Sequence, residues 1–257
     1  MLMNPAGSNT VPPDHPRYES LMKRSRLISG FKDGIVVPEG LIAHGRGEMF
    51  DYLLGEVTIE PASISERAAA AFMLNARMPV ISVNGNTAAL CPEGIVELSS
   101  VTGARIEVNL FHWSEERASA IKAHLQRHGA REILAEGPDA ALEGLHHNRG
   151  KCHVDGIYSA DVVLVPLEDG DRAQALARMG KVVISIDLNP LSRTSLSATV
   201  SIVDELTRAI PNISRFAREL GRDQKKIMGI IREYDNSRVL RAVFDYISKR
   251  FETLARE

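Results

Sequence analysis

Cysteine, aromatic residues and any surplus of charge are all scarce in this chain. Its only two cysteines, Cys91 and Cys152, lie 61 positions apart without CxxC spacing. That excludes a disulfide framework and a zinc knuckle, and leaves buried thiols in a reducing compartment. Aromatics make up 5% of residues, with one tryptophan. Thirty-one Lys and Arg face 33 Asp and Glu, a formal charge of −2, so no basic excess points to wrapping around nucleic acid. No apolar run is long enough to span a bilayer, and the first twenty residues show no signal-peptide pattern; a cytoplasmic protein without a membrane partner is expected. Neither GxxxxGK[ST] nor GxGxxG occurs, so a nucleotide, if bound, is held by neither a P-loop nor the usual dinucleotide fingerprint.

What is present is an ordinary globular composition, 44% hydrophobic and 25% charged over 257 residues, enough for one sizeable core. Residues 1–12 read as a loose lead-in, and 13–220 as one α/β unit. Pro16 opens a helix through "RYESLMKRSRLISGF", and a second helix covers "PEGLIAHGRGEMFDYLLG". Ser63 with Glu66 reads as a capping box in front of a third, "RAAAAFMLNA". From Pro79 onward strands alternate with helices: "PVISVNG", "ARIEVNLF", "REILA", "DVVLVPL", "KVVISID" and "ATVSIV" are the strands. This spacing implies right-handed βαβ units and a mostly parallel sheet with helices on both faces. "DELTRAIPNISRFARELG" reads as a helix interrupted at Pro211. Residues 221–257 form a helical extension, in which Leu240, Val243, Phe244, Ile247, Phe251 and Leu254 make one apolar stripe. The stripe suits packing within the chain or against a second subunit.

In parallel sheets, ligands bind beyond the carboxyl ends of the strands. The first strand ends in Asn84, Gly85 and Asn86, where Gly85 permits a positive φ and two amides offer hydrogen bonds; an Asx turn would use the same residues. The second ends near Asn109 and His112. "PLEDGDR" sets Glu168, Asp169, Asp171 and Arg172 together, one acid to cap the next helix and another to meet Mg²⁺ or an ammonium. "IDLNPLSRTS" is richest: Asp187 suits ribose hydroxyls, Asn189 a carboxyl or phosphate oxygen, Arg193 and Thr194 phosphate. A polar loop with a surface salt bridge is the competing reading. Before the sheet, His15 and Arg17 occur in "DHPRYES", and His44, Arg46 and Glu48 in "AHGRGE", where glycines flank Arg46.

Taken together, "PPDHPRYESL", "GLIAHGRGEMFDYLLGE", "PVISVNGNTAAL", "IEVNLF", "GIYSADVVLVPLEDGDR" and "VISIDLNPLSRTS" resemble archaeal phosphopantothenate synthetase, or 4-phosphopantoate–β-alanine ligase. The resemblance runs from about Pro12 to about Leu220 and leaves the helices after Gly221 outside it. It implies a Rossmann-like α/β fold, a homodimer, and ATP with Mg²⁺ as cofactors. The implied reaction joins 4-phosphopantoate to β-alanine through an acyl-adenylate, releasing AMP and pyrophosphate on the route to coenzyme A. It also implies nucleotide contacts at Arg17, Arg46, Asp187, Leu188, Asn189, Arg193 and Thr194, and at Glu205 and Leu206. Arg46, Asn84, Asn86, Asp187, Asn189 and Arg193 are the candidate catalytic residues. His44, His112, Glu168 and Asp169 are the candidates for substrate binding, and no metal ligands are assigned. The rival readings are an NAD(P)-dependent oxidoreductase, suggested by Asp187 at a strand end, and a non-catalytic nucleotide-sensing dimer.

Overall fold

The computed structural model describes residues 11–145 and 148–256, so the expected lead-in lies outside them up to residue 10. Among the described residues six strands form one sheet: β1 (Pro79–Val83), β2 (Arg105–Val108), β3 (Ile133–Leu134), β6 (Val162–Pro166), β7 (Val182–Ile186) and β8 (Val200–Ile202). Every pairing is parallel, in the order β3-β2-β1-β6-β7-β8. Two short strands, β4 (Ala140–Ala141) and β5 (Lys151–Cys152), pair antiparallel with each other; nothing in their composition announced them. β1 and β6 are buried along their whole length, as expected of strands covered on both faces.

Side-chain alternation divides the core in two. Ile81, Leu164 and Ile184 face a large cluster with Ala68, Ile95 and Ile213, which come from α3 (Glu60–Asn75), α5 (Pro92–Thr102) and α9 (Leu206–Leu220). α6 (Glu115–Arg127) adds Ile121 and Leu125 to this cluster. Val80, Val163 and Val183 face a smaller cluster with Ala173 and Leu176 of α7 (Gly170–Arg178). Cys91 and Cys152 are buried free thiols, both pushed up to about 12 by burial.

Four local expectations need correction. α3 begins at Glu60, with Ile59 as its cap and Pro61 in its first turn. Ser63 and Glu66 therefore lie inside the helix, because the earlier proline already starts it. α9 runs through Pro211 without interruption. Pro211 is exposed, where water can serve the carbonyl it frees, while Ile210, Ile213 and Ala217 are buried opposite. That packing outweighs the roughly 3 kcal/mol an interior proline costs. Gly85 does not adopt a positive φ. It opens a short helix, α4 (Gly85–Leu90), and its glycine is needed for space, since a Cβ would collide with the Ile35 carbonyl and lie 2.7 Å from the Arg117 guanidinium. Finally, the polar stretch after β7 contains a helix, α8 (Arg193–Ser197), capped by Ser192, which accepts from the Ser195 N–H at 3.0 Å.

Two helices at the start of the chain, α1 (Tyr18–Lys32) and α2 (Pro38–Leu54), and two at the end, α10 (Gln224–Glu233) and α11 (Asn236–Leu254), complete the fold. The α11 stripe splits. Leu240 and Val243 are buried with Leu54, Ile59 and Leu188, and Phe244 and Ile247 pack on that cluster, whereas Phe251 and Leu254 remain about half exposed, at 52% and 51%.

Candidate functional site

The strand order reverses between β1 and β6, since the chain moves outward from β1 on one side and from β6 on the other. A crevice opens at such a switch point, beyond the carboxyl ends of the strands. Asn84 sits at its root. Its Oδ1 accepts from the Thr87 N–H at 3.0 Å and caps α4, and its Nδ2 donates to the Pro166 and Leu167 carbonyls at 2.9 and 3.2 Å. Thus the Asx geometry and a bridge across the crevice are the same residue. Leu167, which receives that bridge, holds a left-handed φ of +53°. A non-glycine residue there costs on the order of 1 kcal/mol or more, and such strain persists where neighbours impose it, commonly at functional sites.

A cavity of about 810 Å³ fills this crevice, within the range of small-molecule sites. Arg46, His44, Asn84, Asn86, His112, Glu168, Asp169, Asp187, Leu188, Asn189, Arg193, Thr194, Glu205 and Leu206 all line it. Arg17 does not. It caps α1 outside the cavity, its guanidinium 3.4 Å from the Tyr52 hydroxyl.

Many of these side chains hold the walls as well as facing the cavity. Asn86 donates to the Gly40 carbonyl at 2.7 Å and ties α2 to the end of β1. Asp187 knots its own loop, accepting from the Asn189 N–H at 2.9 Å and the Ser192 hydroxyl at 2.5 Å. Burial nevertheless raises its carboxyl above the ordinary value, since those two hydrogen bonds only partly offset it. Thr194 donates to the Glu168 carbonyl at 2.9 Å. Glu168 is turned inward: one oxygen accepts from the Asp169 N–H and the other pairs with buried Arg172. Asp169 caps α7, as one acid of that group was expected to do. Arg193 is exposed and reaches Asp171 at 2.6 Å. The Arg46 side chain, exposed on α2 and lining the cavity, makes no hydrogen bond or ion pair to any described residue, so its charge is available to an anion.

The cavity also has walls that the strand ends did not announce. Lys23 of α1 pairs with Glu205 at 3.0 Å, both nearly buried. Arg117 of α6 donates to the Ile35 and His112 carbonyls, and Arg208 joins Asp51 and Asp204 at 2.5 and 2.6 Å. These are single charged residues on helices, with no motif around them. Among the described residues, no three His, Cys, Asp or Glu side chains gather to hold a metal ion.

The family described as phosphopantothenate/pantothenate synthetase matches residues 61–250. This chain belongs to that family. A 4-phosphopantoate–β-alanine ligase of Methanosarcina mazei is 54% identical over 248 residues, covering 96% of this chain and 98% of its own length. The ligase of Methanospirillum hungatei is 56% identical over 240 residues (93% and 97%), and that of Thermococcus kodakarensis 49% over 249 (96% and 95%). The phosphopantothenate synthetase likeness therefore extends past Gly221, and α10 and most of α11 are part of the family's chain rather than an addition to it. Asn236, the first residue of α11, shows what they do. Its Nδ2 donates to the Ala198 carbonyl at 3.2 Å and its Oδ1 accepts from the Ser201 N–H at 2.8 Å, holding the segment that carries Arg193 and Thr194. No helix among the described residues is long and apolar enough to cross a membrane.

Proposed function

We propose that this chain is a cytoplasmic ligase that condenses 4-phosphopantoate with β-alanine, converting ATP to AMP and pyrophosphate through an acyl-adenylate, in coenzyme A synthesis. The observation that carries the reading is the switch-point cavity of about 810 Å³, in a chain alike over nearly its whole length to ligases of that name. A carboxylate cannot form an amide directly, because oxide is a very poor leaving group. Transfer of AMP to the carboxylate of 4-phosphopantoate makes a mixed anhydride, and the amine of β-alanine then displaces AMP. The protein's part is mainly positioning and charge stabilisation.

In this reading Arg46 and Arg193 offset phosphate charge, Asp187, Leu188 and Asn189 bracket the nucleoside, and Thr194 with the junction at Glu205 and Leu206 completes its wall. Asn84 and Asn86 keep the two sides of the crevice in register. Mg²⁺ would come with the nucleotide's phosphates and offset their charge, which suits a site where no three described His, Cys, Asp or Glu side chains gather; Asp169, which lines the cavity, would be the carboxylate to add a ligand. The functional unit is a homodimer, supported by the apolar side chains of Phe251 and Leu254 left facing solvent.

The test is incubation of the protein with ATP, Mg²⁺, 4-phosphopantoate and β-alanine, with nucleotides resolved by chromatography. AMP formed only when both co-substrates are present is the expected result. ADP with phosphate would replace the adenylate by an acyl phosphate. Nucleotide binding without turnover would favour a sensing dimer.

A further inference from the structure

The wall formed by α1 and α2 carries polar atoms that the fold itself leaves unused. His44 and Glu48 lie one turn apart on α2, and both line the cavity. His44 Nε2 and Glu48 Oε1 are each shut off from solvent and have no hydrogen-bond partner. Leaving one buried polar atom unpaired costs about 1–3 kcal/mol, so two on neighbouring side chains mark a place where a ligand's donors belong.

Their charge states define the ligand. Burial works against ionisation of Glu48, but the Arg24 guanidinium, hydrogen-bonded to Oε2 at 2.6 Å, and the neighbouring Tyr52 hydroxyl prevail and hold its carboxyl below the usual range. Burial pushes His44 below the ordinary histidine value. Glu48 and Glu205 oppose that shift, while Lys23 and Arg24 add to it. Near neutral pH the pair is thus a carboxylate oxygen beside an uncharged imidazole, and in the Nδ1–H tautomer Nε2 presents a lone pair. Two acceptors of this kind suit a group with several N–H donors. Lys23 lines the same cavity, close enough for its charge to act on His44; one side of its ammonium is held by Glu205 at 3.0 Å, and its remaining N–H donors suit an acid group on the same small molecule.

We propose that His44 and Glu48 receive the ammonium of β-alanine, with Lys23 facing its carboxylate, and that His44 Nε2 removes the proton that must leave before the amine can attack. This rests on the adenylating reaction proposed above. The ammonium gives one proton to His44. The freed lone pair forms the C–N bond to the acyl carbon, the bond from that carbon to the AMP oxygen breaks, and its electron pair departs with AMP. The second nitrogen proton is lost to solvent as the amide forms, and His44 then releases its own.

The experiment compares the whole parent protein with His44→Gln and Glu48→Gln. Exchange of labelled pyrophosphate into ATP, dependent on 4-phosphopantoate, needs no amine and reports the first half-reaction and the fold together. It should survive in both variants. In His44→Gln, kcat/KM for β-alanine should fall at least about a hundredfold, the usual scale of a general base, and the decline in kcat/KM on the acid side of neutrality should disappear. Hydroxylamine, an amine already uncharged at neutral pH, should still trap the acyl group at the parent's rate. Glu48→Gln should act mainly by raising KM for β-alanine. Unchanged β-alanine kinetics, or loss of exchange together with amide formation, would overturn the assignment. Absence of exchange in the parent itself would instead sink the adenylate reading, and this inference with it.

Discussion

Arg193 has little to give up in order to hold a phosphate. Its link to Asp171 is short, at 2.6 Å, but both side chains are largely in water, and such pairs contribute at most about 1 kcal/mol. A charged hydrogen bond to phosphate inside a cavity contributes more. Arg193→Ala should therefore lower kcat/KM for ATP at least about tenfold, a loss of about 1.4 kcal/mol in transition-state binding, while the melting temperature stays unchanged. Arg193→Lys should restore part of the rate, because a point charge lacks the guanidinium fork. Full activity in Arg193→Ala would mean that the residue is only a surface partner of Asp171. Glu66 is the opposite case, fully buried on α3. Burial first, and the nearby Asp204 second, raise its carboxyl well above the usual range. The folded state therefore keeps a proton that the unfolded chain releases above its ordinary value near 4.3. This contribution to stability is complete in acid and is lost as pH rises from there toward the raised folded value. Glu66→Gln, which keeps the shape and the neutral charge, should flatten the fall in urea-unfolding stability between pH 5 and pH 8, and a slope equal to the parent's would show that Glu66 is ionised in the fold.

Long, strongly patterned elements were legible in the sequence, and short polar ones were not. Ser114 marks the start of α6, where it accepts from the Arg117 N–H, and Gly103 ends α5 in a left-handed turn, because such end signals act within a few residues. α4 and α8 escaped notice, since six and five residues show no amphipathic period and their composition is that of a turn. α8 is held from outside by Asn236, across 35 residues to Ser201. Asn236→Ala would leave the Ala198 carbonyl and the Ser201 N–H without that partner. It should cost about 1–3 kcal/mol in denaturant unfolding and raise KM for ATP through the displaced Arg193 and Thr194, although Asn236 does not line the cavity. A variant that loses stability yet keeps its KM would separate the brace from the site.

At the scale of the whole molecule, α11 spends the first half of its stripe inside the chain and leaves Phe251 and Leu254 outside. If a second copy covers them, the double variant Phe251→Lys, Leu254→Lys should sediment as a monomer with its melting temperature little changed; a persistent dimer would place the interface elsewhere. The alternating strand and helix pattern by itself determined a parallel α/β sheet, and the polar residues closing each strand determined which ends face a ligand, because both follow from spacing along one chain. Asn84, Asp187 and Glu168 were visible for that reason. Tertiary structure alone decided that β1 and β6 are neighbours, so that their ends meet in one crevice, and that α1, α2 and the start of α9 close over it. Lys23, Arg117 and Arg208 became part of the wall only then. Which face of a helix a lone charged residue occupies can be read locally, but what that face meets depends on contacts between segments far apart in the chain, as between Lys23 and Glu205. Such pairings leave no period in the sequence.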